Sequence, residues 1–100
     1  MKIHTQRVGI VGAGRLGGAL ARALRGLGVP VSAVASASAA RAGVLADEVG
    51  ARAVPLAALA GEATLIFVAV LDANIASVAA ALAPTLSASH ALVHTSGARD

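Results

Sequence analysis

The sequence predicts an α/β protein with a doubly wound parallel sheet and the strand order 3-2-1-4-5. Short aliphatic runs alternate with segments whose apolar residues recur at helical spacing, a pattern typical of this fold class. The run at 64–71 has no charged residue, which suits a parallel strand covered on both faces. The segments between strands are long enough for right-handed crossovers, and that handedness gives the strand order.

The first half of the chain contains two strand-helix units. A strand is expected at 8–11, where an aliphatic run stops at Gly12. Leucines at helical spacing predict a helix over 15–27, ended by glycines. A second strand is expected at 29–35, with Pro30 at its start, where a missing N–H is tolerated. A helix follows over 39–49, with Ser38 as its N-cap and Gly50 as its stop.

The second half continues the alternation. A short strand at 52–54 precedes a turn of helix at 56–59, and the uncharged strand at 64–71 comes next. A helix is expected to open at residue 72 or 73 and to end before Pro84. The last strand is predicted at 91–95.

Length and composition limit the classes of protein. The chain has 100 residues, of which 57% are hydrophobic and 13% are charged, so a disordered or collagen-like chain is excluded and residues 1–100 suit one domain. Phe67 is the only aromatic residue, so the predicted core consists of Val, Leu, Ile and Ala. The chain has no cysteine, which excludes disulfides and thiolate chemistry.

The charge pattern bears on partners and location. The net charge is +3, but only Arg15, Arg22 and Arg25 form a stripe at helical spacing, without interleaved aromatic residues. A solvated helix face is therefore favoured over a nucleic-acid site. The uncharged stretch 73–98 contains Asn, Pro and two His, which disfavours a membrane span, and the N-terminus makes a poor signal peptide. A cytoplasmic protein is expected. The three histidines are scattered, and no metal site is predicted.

A glycine motif carries the main functional signal. It consists of Gly12, Ala13, Gly14, Arg15, Leu16 and Gly17, which match G-x-G-x-x-G between a predicted strand and helix. In that context the first glycine permits a tight turn, the second lets a pyrophosphate approach, and the third lets the helix pack closely. The free N–H groups of the first helical turn then face the phosphates. The alternative is a glycine-rich turn without a ligand.

The second strand indicates which dinucleotide binds. An acidic residue there would bind the ribose of NAD, but no Asp or Glu occurs from 29 to 40. The hydroxyls of Ser36 and Ser38 and the guanidinium of Arg41 suit a 2′-phosphate, so NADP is expected, with NAD as the alternative. The two serines are also open to a structural interpretation as loop and cap residues.

Residues at the ends of the last two strands complete the candidate site. The backbone at Val70 and Leu71 is placed to pack on the ribose or nicotinamide, because ligands bind at the carboxyl ends of such strands. Asp72 is either the helix N-cap, which we favour, or a substrate contact. His94 and Thr95 lie at the same sheet edge, as cofactor or substrate contacts or as a plain strand-end turn.

The segments 8–17 (VGIVGAGRLG), 34–36 (VAS), 67–72 (FVAVLD) and 94–98 (HTSGA) resemble the Rossmann-like oxidoreductase/dehydrogenase family. Its relatives include pyrroline-5-carboxylate reductase, 6-phosphogluconate dehydrogenase and deazaflavin-dependent NADP reductases. The resemblance runs over nearly the whole chain and implies NAD(P) binding by the matching glycines. It also implies an oxidoreductase role with an undefined small substrate.

The chain departs from that family at three points. Leu71 stands where members usually have Pro, and Ala37 where they often have Arg. Members also continue into a C-terminal helical domain that supplies substrate and dimer contacts, which is absent from this sequence. Two functions are therefore expected as alternatives: the cofactor-binding part of an NADP-dependent oxidoreductase, and a stand-alone nucleotide-binding or regulatory module without catalysis.

Overall fold

A computed structural model describes residues 7–94 of the protein. Five parallel strands form one sheet in the order β3-β2-β1-β4-β5, which confirms the predicted strand order. The strands are β1 (Val8–Val11), β2 (Val31–Ala35), β3 (Arg52–Ala53), β4 (Leu65–Val68) and β5 (Ala91–His94).

Four α-helices connect the strands. They are α1 (Arg15–Gly26), α2 (Ala39–Val49), α3 (Leu56–Glu62) and α4 (Asp72–Leu82), and a 3₁₀ turn (Ala83–Thr85) follows the last. The ends of α2 are as predicted. The Ser38 hydroxyl accepts a hydrogen bond from the Arg41 N–H at 3.2 Å, and Gly50 closes the helix with a φ of 73°.

Three elements differ from their predicted bounds by more than one residue. Strand β2 starts after Pro30, because Pro30 has no N–H and the Val29 N–H bonds to the Leu24 carbonyl at the end of α1. Strand β4 ends at Val68, the last residue that pairs with β1 and β5, and residues 69–71 connect it to α4. Helix α3 continues beyond residue 59 to Glu62, and in this extended helix Leu59 and Ala60 are buried.

The helices bury the sheet on both faces. Helices α1 and α2 cover one face around Ile10, Val34 and Leu65, and the other face packs with α3 and α4 around Ile66 and Leu59. No charged or polar side chain is buried in the part of the chain that the structure describes. The core is aliphatic as predicted, and no helix within residues 7–94 is long and apolar enough to cross a membrane.

His90 ties the loop before β5 to the end of α3. Its Nδ1 accepts a hydrogen bond from the Ser87 N–H at 2.9 Å, so the neutral ring carries its proton on Nε2, which donates to the Ala60 carbonyl at 2.8 Å. That carbonyl lies in the last turn of α3, where helix carbonyls lack intrahelical partners.

We expect His90→Ala to lower the free energy of unfolding by about 1–3 kcal/mol, because it leaves the buried Ala60 carbonyl unpaired. Urea denaturation followed by circular dichroism measures the change. His94→Ala is the matched control, since His94 is exposed. Equal stability of the two variants would show that the His90 bridge contributes nothing.

Candidate functional site

A cleft of about 480 Å³ lies at the carboxyl ends of β1, β2 and β4. This is the point where the chain order of the strands reverses, since β1 has β2 on one side and β4 on the other. Ligands of open α/β sheets bind at such points. The glycine loop forms one wall, the end of β2 and the first turn of α2 form a second, and α4 forms a third.

Gly12 sets the shape of the glycine loop. Its φ is +109°, a conformation that side chains with a Cβ rarely adopt, and a Cβ here would lie 2.3 Å from the Ala69 carbonyl oxygen. Its N–H donates to the Ala35 carbonyl at 2.8 Å, which extends the pairing of β1 with β2. The sharp turn predicted for the first glycine of the motif is therefore present.

Gly17 lies beneath the loop and does not line the cleft. A Cβ at Gly17 would lie 1.9 Å from the Gly12 carbonyl oxygen, closer than any real contact. The third glycine thus lets α1 approach the loop itself, and it acts through packing.

The N-terminus of α1 opens towards the glycine loop without a cap. Gly14 is the N-cap residue and provides no side chain, and the first turn has no acidic residue. The Gly18 N–H bonds to the Gly14 carbonyl at 2.9 Å, so the N–H groups of residues 15–17 have no acceptor within the helix. Ala13 and Gly14 line the cleft, whereas the side chains of Arg15 and Leu16 do not.

The end of β2 separates the two predicted serines. Ser36 lines the cleft, and its hydroxyl accepts a hydrogen bond from the Ser38 N–H at 3.3 Å. Ser38 does not line it, and its hydroxyl caps α2, as the structural interpretation expects. Arg41 lines the cleft and pairs with no carboxylate among the side chains that the structure describes.

The residues that follow β4 line the cleft, whereas the end of β5 does not. Val70 and Leu71 line the cleft. Helix α4 begins at Asp72 with Leu71 as its N-cap, so the expectation that Asp72 is the N-cap is wrong. The helix starts one residue earlier because Leu71, with a ψ of 145°, is the last extended residue. His94 is exposed at the end of β5 and does not line the cleft, and Thr95 lies outside the described residues.

Sequence reasoning missed the wall formed by α4 and α3. Leu56, Asn74, Ser77 and Val78 all line the cleft, although none belongs to the glycine motif or to a strand end. The spacing of 74, 77 and 78 places them on one helix face. The sequence therefore predicts that these three residues share a helix face, but it does not predict that this face lines the cleft.

The predicted arginine stripe is partly paired. The Arg22 guanidinium forms an ion pair with Glu48, and Arg25 Nη1 donates to the Glu48 carbonyl at 3.1 Å. The hydrogen bond from Arg22 lowers the pKa of the Glu48 carboxyl below its ordinary value. These contacts join α1 to α2 on an exposed face and leave Arg41 as a cation at the cleft. Among the described side chains, no group of three or more His, Asp or Glu is placed to hold a metal ion.

Solved structures share this fold. A protein from Bacteroides fragilis designated an NADP oxidoreductase is 29% identical, with a TM-score of 0.86 over 96% of this chain and 38% of its own. A reductive aminase from Aspergillus terreus, solved with NADPH, is 26% identical, with a TM-score of 0.72 over 90% of this chain and 31% of its own. UDP-N-acetylglucosamine 3-dehydrogenase from Acidithiobacillus ferrooxidans is 25% identical, with a TM-score of 0.73 over 89% of this chain and 28% of its own.

The chain thus spans between about a quarter and two-fifths of the length of these solved structures. No curated protein matches the sequence significantly. The family described as NADP oxidoreductase, coenzyme F420-dependent, matches residues 7–97, which confirms the resemblance to Rossmann-like oxidoreductases and the expected NADP dependence at the level of the family. Because this match covers nearly the whole sequence, the chain belongs to the family of coenzyme F420-dependent NADP oxidoreductases.

Proposed function

We propose that residues 1–100 form the NADP(H)-binding domain of an oxidoreductase that transfers a hydride to or from a small substrate. One observation carries the proposal: a single cleft joins the glycine loop at the uncapped N-terminus of α1 to the cationic side chain of Arg41. None of the described side chains that line the cleft has a carboxylate. The reductive aminase, which has the same fold, is solved with NADPH.

The residues present fit a phosphorylated dinucleotide. The pyrophosphate lies against Gly12 and Gly14, where the free N–H groups of residues 15–17 and the helix dipole favour negative charge. The adenosine half extends towards the end of β2, where Ser36 and Arg41 receive the 2′-phosphate. The nicotinamide half extends over Val70 and Leu71 towards His94 at the end of β5.

Bound NADPH supplies the hydride from its nicotinamide ring. The residues of this chain hold and orient the dinucleotide, and no proton transfer is assigned to them. The N–H groups at the start of α1 offset the charge of the pyrophosphate. Val11 and Val70 line the cleft with apolar side chains, which would exclude water from the bound cofactor.

The substrate and the assembly belong to the same proposal. The family description names coenzyme F420, so a deazaflavin is the first hydride partner to test. Leu92 and Val93 on edge strand β5 are 36% and 41% exposed, and we propose that they contribute to a homodimer in the cytoplasm. Analytical ultracentrifugation of Val93→Lys against the parent chain tests the dimer.

Titration of the chain with NADPH, NADH and a flavin tests the proposal directly. Calorimetry or the fluorescence of the reduced nicotinamide reports binding, and the chain has no Trp or Tyr to interfere. Saturable binding of NADPH, stronger than that of NADH, is expected. Absence of binding by any dinucleotide would overturn the proposal, and binding of flavin alone would point to a different module.

We expect Arg41→Ala to weaken NADPH about 10- to 150-fold, because a charge-assisted contact to phosphate contributes about 1.5–3 kcal/mol. NADH lacks the 2′-phosphate and is expected to bind the variant and the parent alike. Arg7→Ala is the matched control, since exposed Arg7 precedes β1 at the opposite end of the sheet. Equal weakening of NADPH and NADH by Arg41→Ala would contradict the assignment of the phosphate site.

A further inference from the structure

Helix α4 presents a mixed face to the cleft. Asn74, Ser77 and Val78 line it together, opposite the glycine loop, and Leu56 at the start of α3 lies beside them. Helix α3 packs against both β2 and α4. This corner of the cleft is therefore on the β2 side, where the adenosine half of the proposed cofactor lies.

The corner combines an apolar wall with polar groups. Leu56 and Val78 are half-buried and pack against the core beneath the cleft, together with Val54. Asn74 and Ser77 are exposed. Apolar walls with a few polar groups that fix orientation are typical of sites for planar ligands such as a purine base.

The two polar side chains differ in what they can offer a base. The Ser77 hydroxyl donates its proton to the Asn74 carbonyl at 3.0 Å, so its oxygen remains available as an acceptor only. The Asn74 side-chain amide makes no hydrogen bond to the side chains and backbone that the structure describes, and it offers one acceptor and two donors. Together they match an edge that presents an N–H₂ group next to a ring nitrogen acceptor.

We propose that Asn74 and Ser77 recognise the adenine of the dinucleotide and select it over bases with a 6-oxo group, an inference that rests on the proposed function. Adenine presents an amino donor at N6 beside the N7 acceptor, the edge that an Asn amide matches with two hydrogen bonds. Hypoxanthine has a carbonyl oxygen at this position. The Ser77 oxygen then faces the carbonyl oxygen of the base, which is also an acceptor. The Asn74 amide keeps only one of its two hydrogen bonds to the base.

The test compares NADP⁺ with nicotinamide hypoxanthine dinucleotide phosphate, which differs from it at that position of the base. Calorimetry on the 100-residue chain is expected to show NADP⁺ binding at least about tenfold more tightly, the lower part of the range for one bidentate base contact. Asn74→Ala and Ser77→Ala are each expected to reduce this ratio, Asn74→Ala more strongly because it removes the bidentate contact. Ser89→Ala, in a loop away from the cleft, is the control and keeps the parent ratio.

The outcomes separate this inference from the function on which it rests. If the parent binds both dinucleotides equally, or if Asn74→Ala keeps the parent ratio, base recognition by α4 is wrong while NADP⁺ binding stands. If the parent binds neither dinucleotide, the proposed function and the inference both fail. A loss of ratio in Asn74→Ala, in which NADP⁺ is weakened more than the hypoxanthine analogue, supports the inference, because a general disturbance of the cleft would weaken both ligands alike.

Discussion

Gly14→Val is expected to weaken NADPH binding at least about 100-fold, equivalent to about 2.7 kcal/mol, while the fold stays intact. Gly14 is extended, with φ at −82° and ψ at −158°, so a residue with a Cβ is tolerated by the backbone. A branched side chain at this point of the cleft occupies the space through which the pyrophosphate reaches the N-terminus of α1.

Gly61→Val is the matched control for that variant. Gly61 lies in α3, is exposed and has open space where a Cβ would stand, and it does not line the cleft. Circular dichroism shows whether each variant folds, and calorimetry measures binding. NADPH affinity in folded Gly14→Val equal to that of the parent would show that the pyrophosphate lies elsewhere.

Gly17→Ala is expected to lower the free energy of unfolding by about 3 kcal/mol or more, at or above the upper end of the usual cost of overpacking. The added methyl group would lie 1.9 Å from the Gly12 carbonyl oxygen. Neither backbone segment can yield cheaply, since Gly12 is fixed by its bond to Ala35 and by its positive φ. Relief of the clash requires α1 to move away from the loop, which also displaces the phosphate site.

Gly43→Ala separates this clash from the general effect of replacing a helical glycine. Gly43 lies inside α2 with nothing within 4 Å of a Cβ, so alanine is expected to raise stability by about 0.5–1 kcal/mol. Urea denaturation followed by circular dichroism compares both variants with the parent. A stability change in Gly17→Ala as small as that in Gly43→Ala would mean that the loop yields more easily than its geometry indicates.

The sequence predicted most of the fold because local signals agreed with the tertiary structure. Ser38 and Gly50 mark both ends of α2, and the glycine motif marks the junction of β1 and α1. The end of β4 was missed because residues 69–71 are apolar like the strand, although Val68 is the last residue of β4 with a pairing partner in β1. Apolar character reports burial, and Ala69 is buried although it lies outside any strand.

The candidate site was predictable where it depends on backbone conformation and less so where it depends on packing. Gly12 and Gly14 belong to a recognisable local pattern, and both line the cleft. Asn74 and Ser77 look in sequence like the solvent face of a helix, and only the docking of α4 beside α3 brings them to the cleft. Arg41 was predicted as a phosphate contact because no Asp or Glu occurs from 29 to 40, and it lines the cleft.

The parallel order of the sheet has a consequence for synthesis on the ribosome. Val8 in central β1 pairs with Val31 on one side and with Leu65 on the other, so no neighbouring pair of strands is joined by a tight hairpin. Such long-range pairing slows folding, because long loops must close before contacts compensate. A nascent chain that has not yet reached residue 65 therefore holds β1 with one unpaired edge, and that interval is when the growing polypeptide is most prone to aggregate.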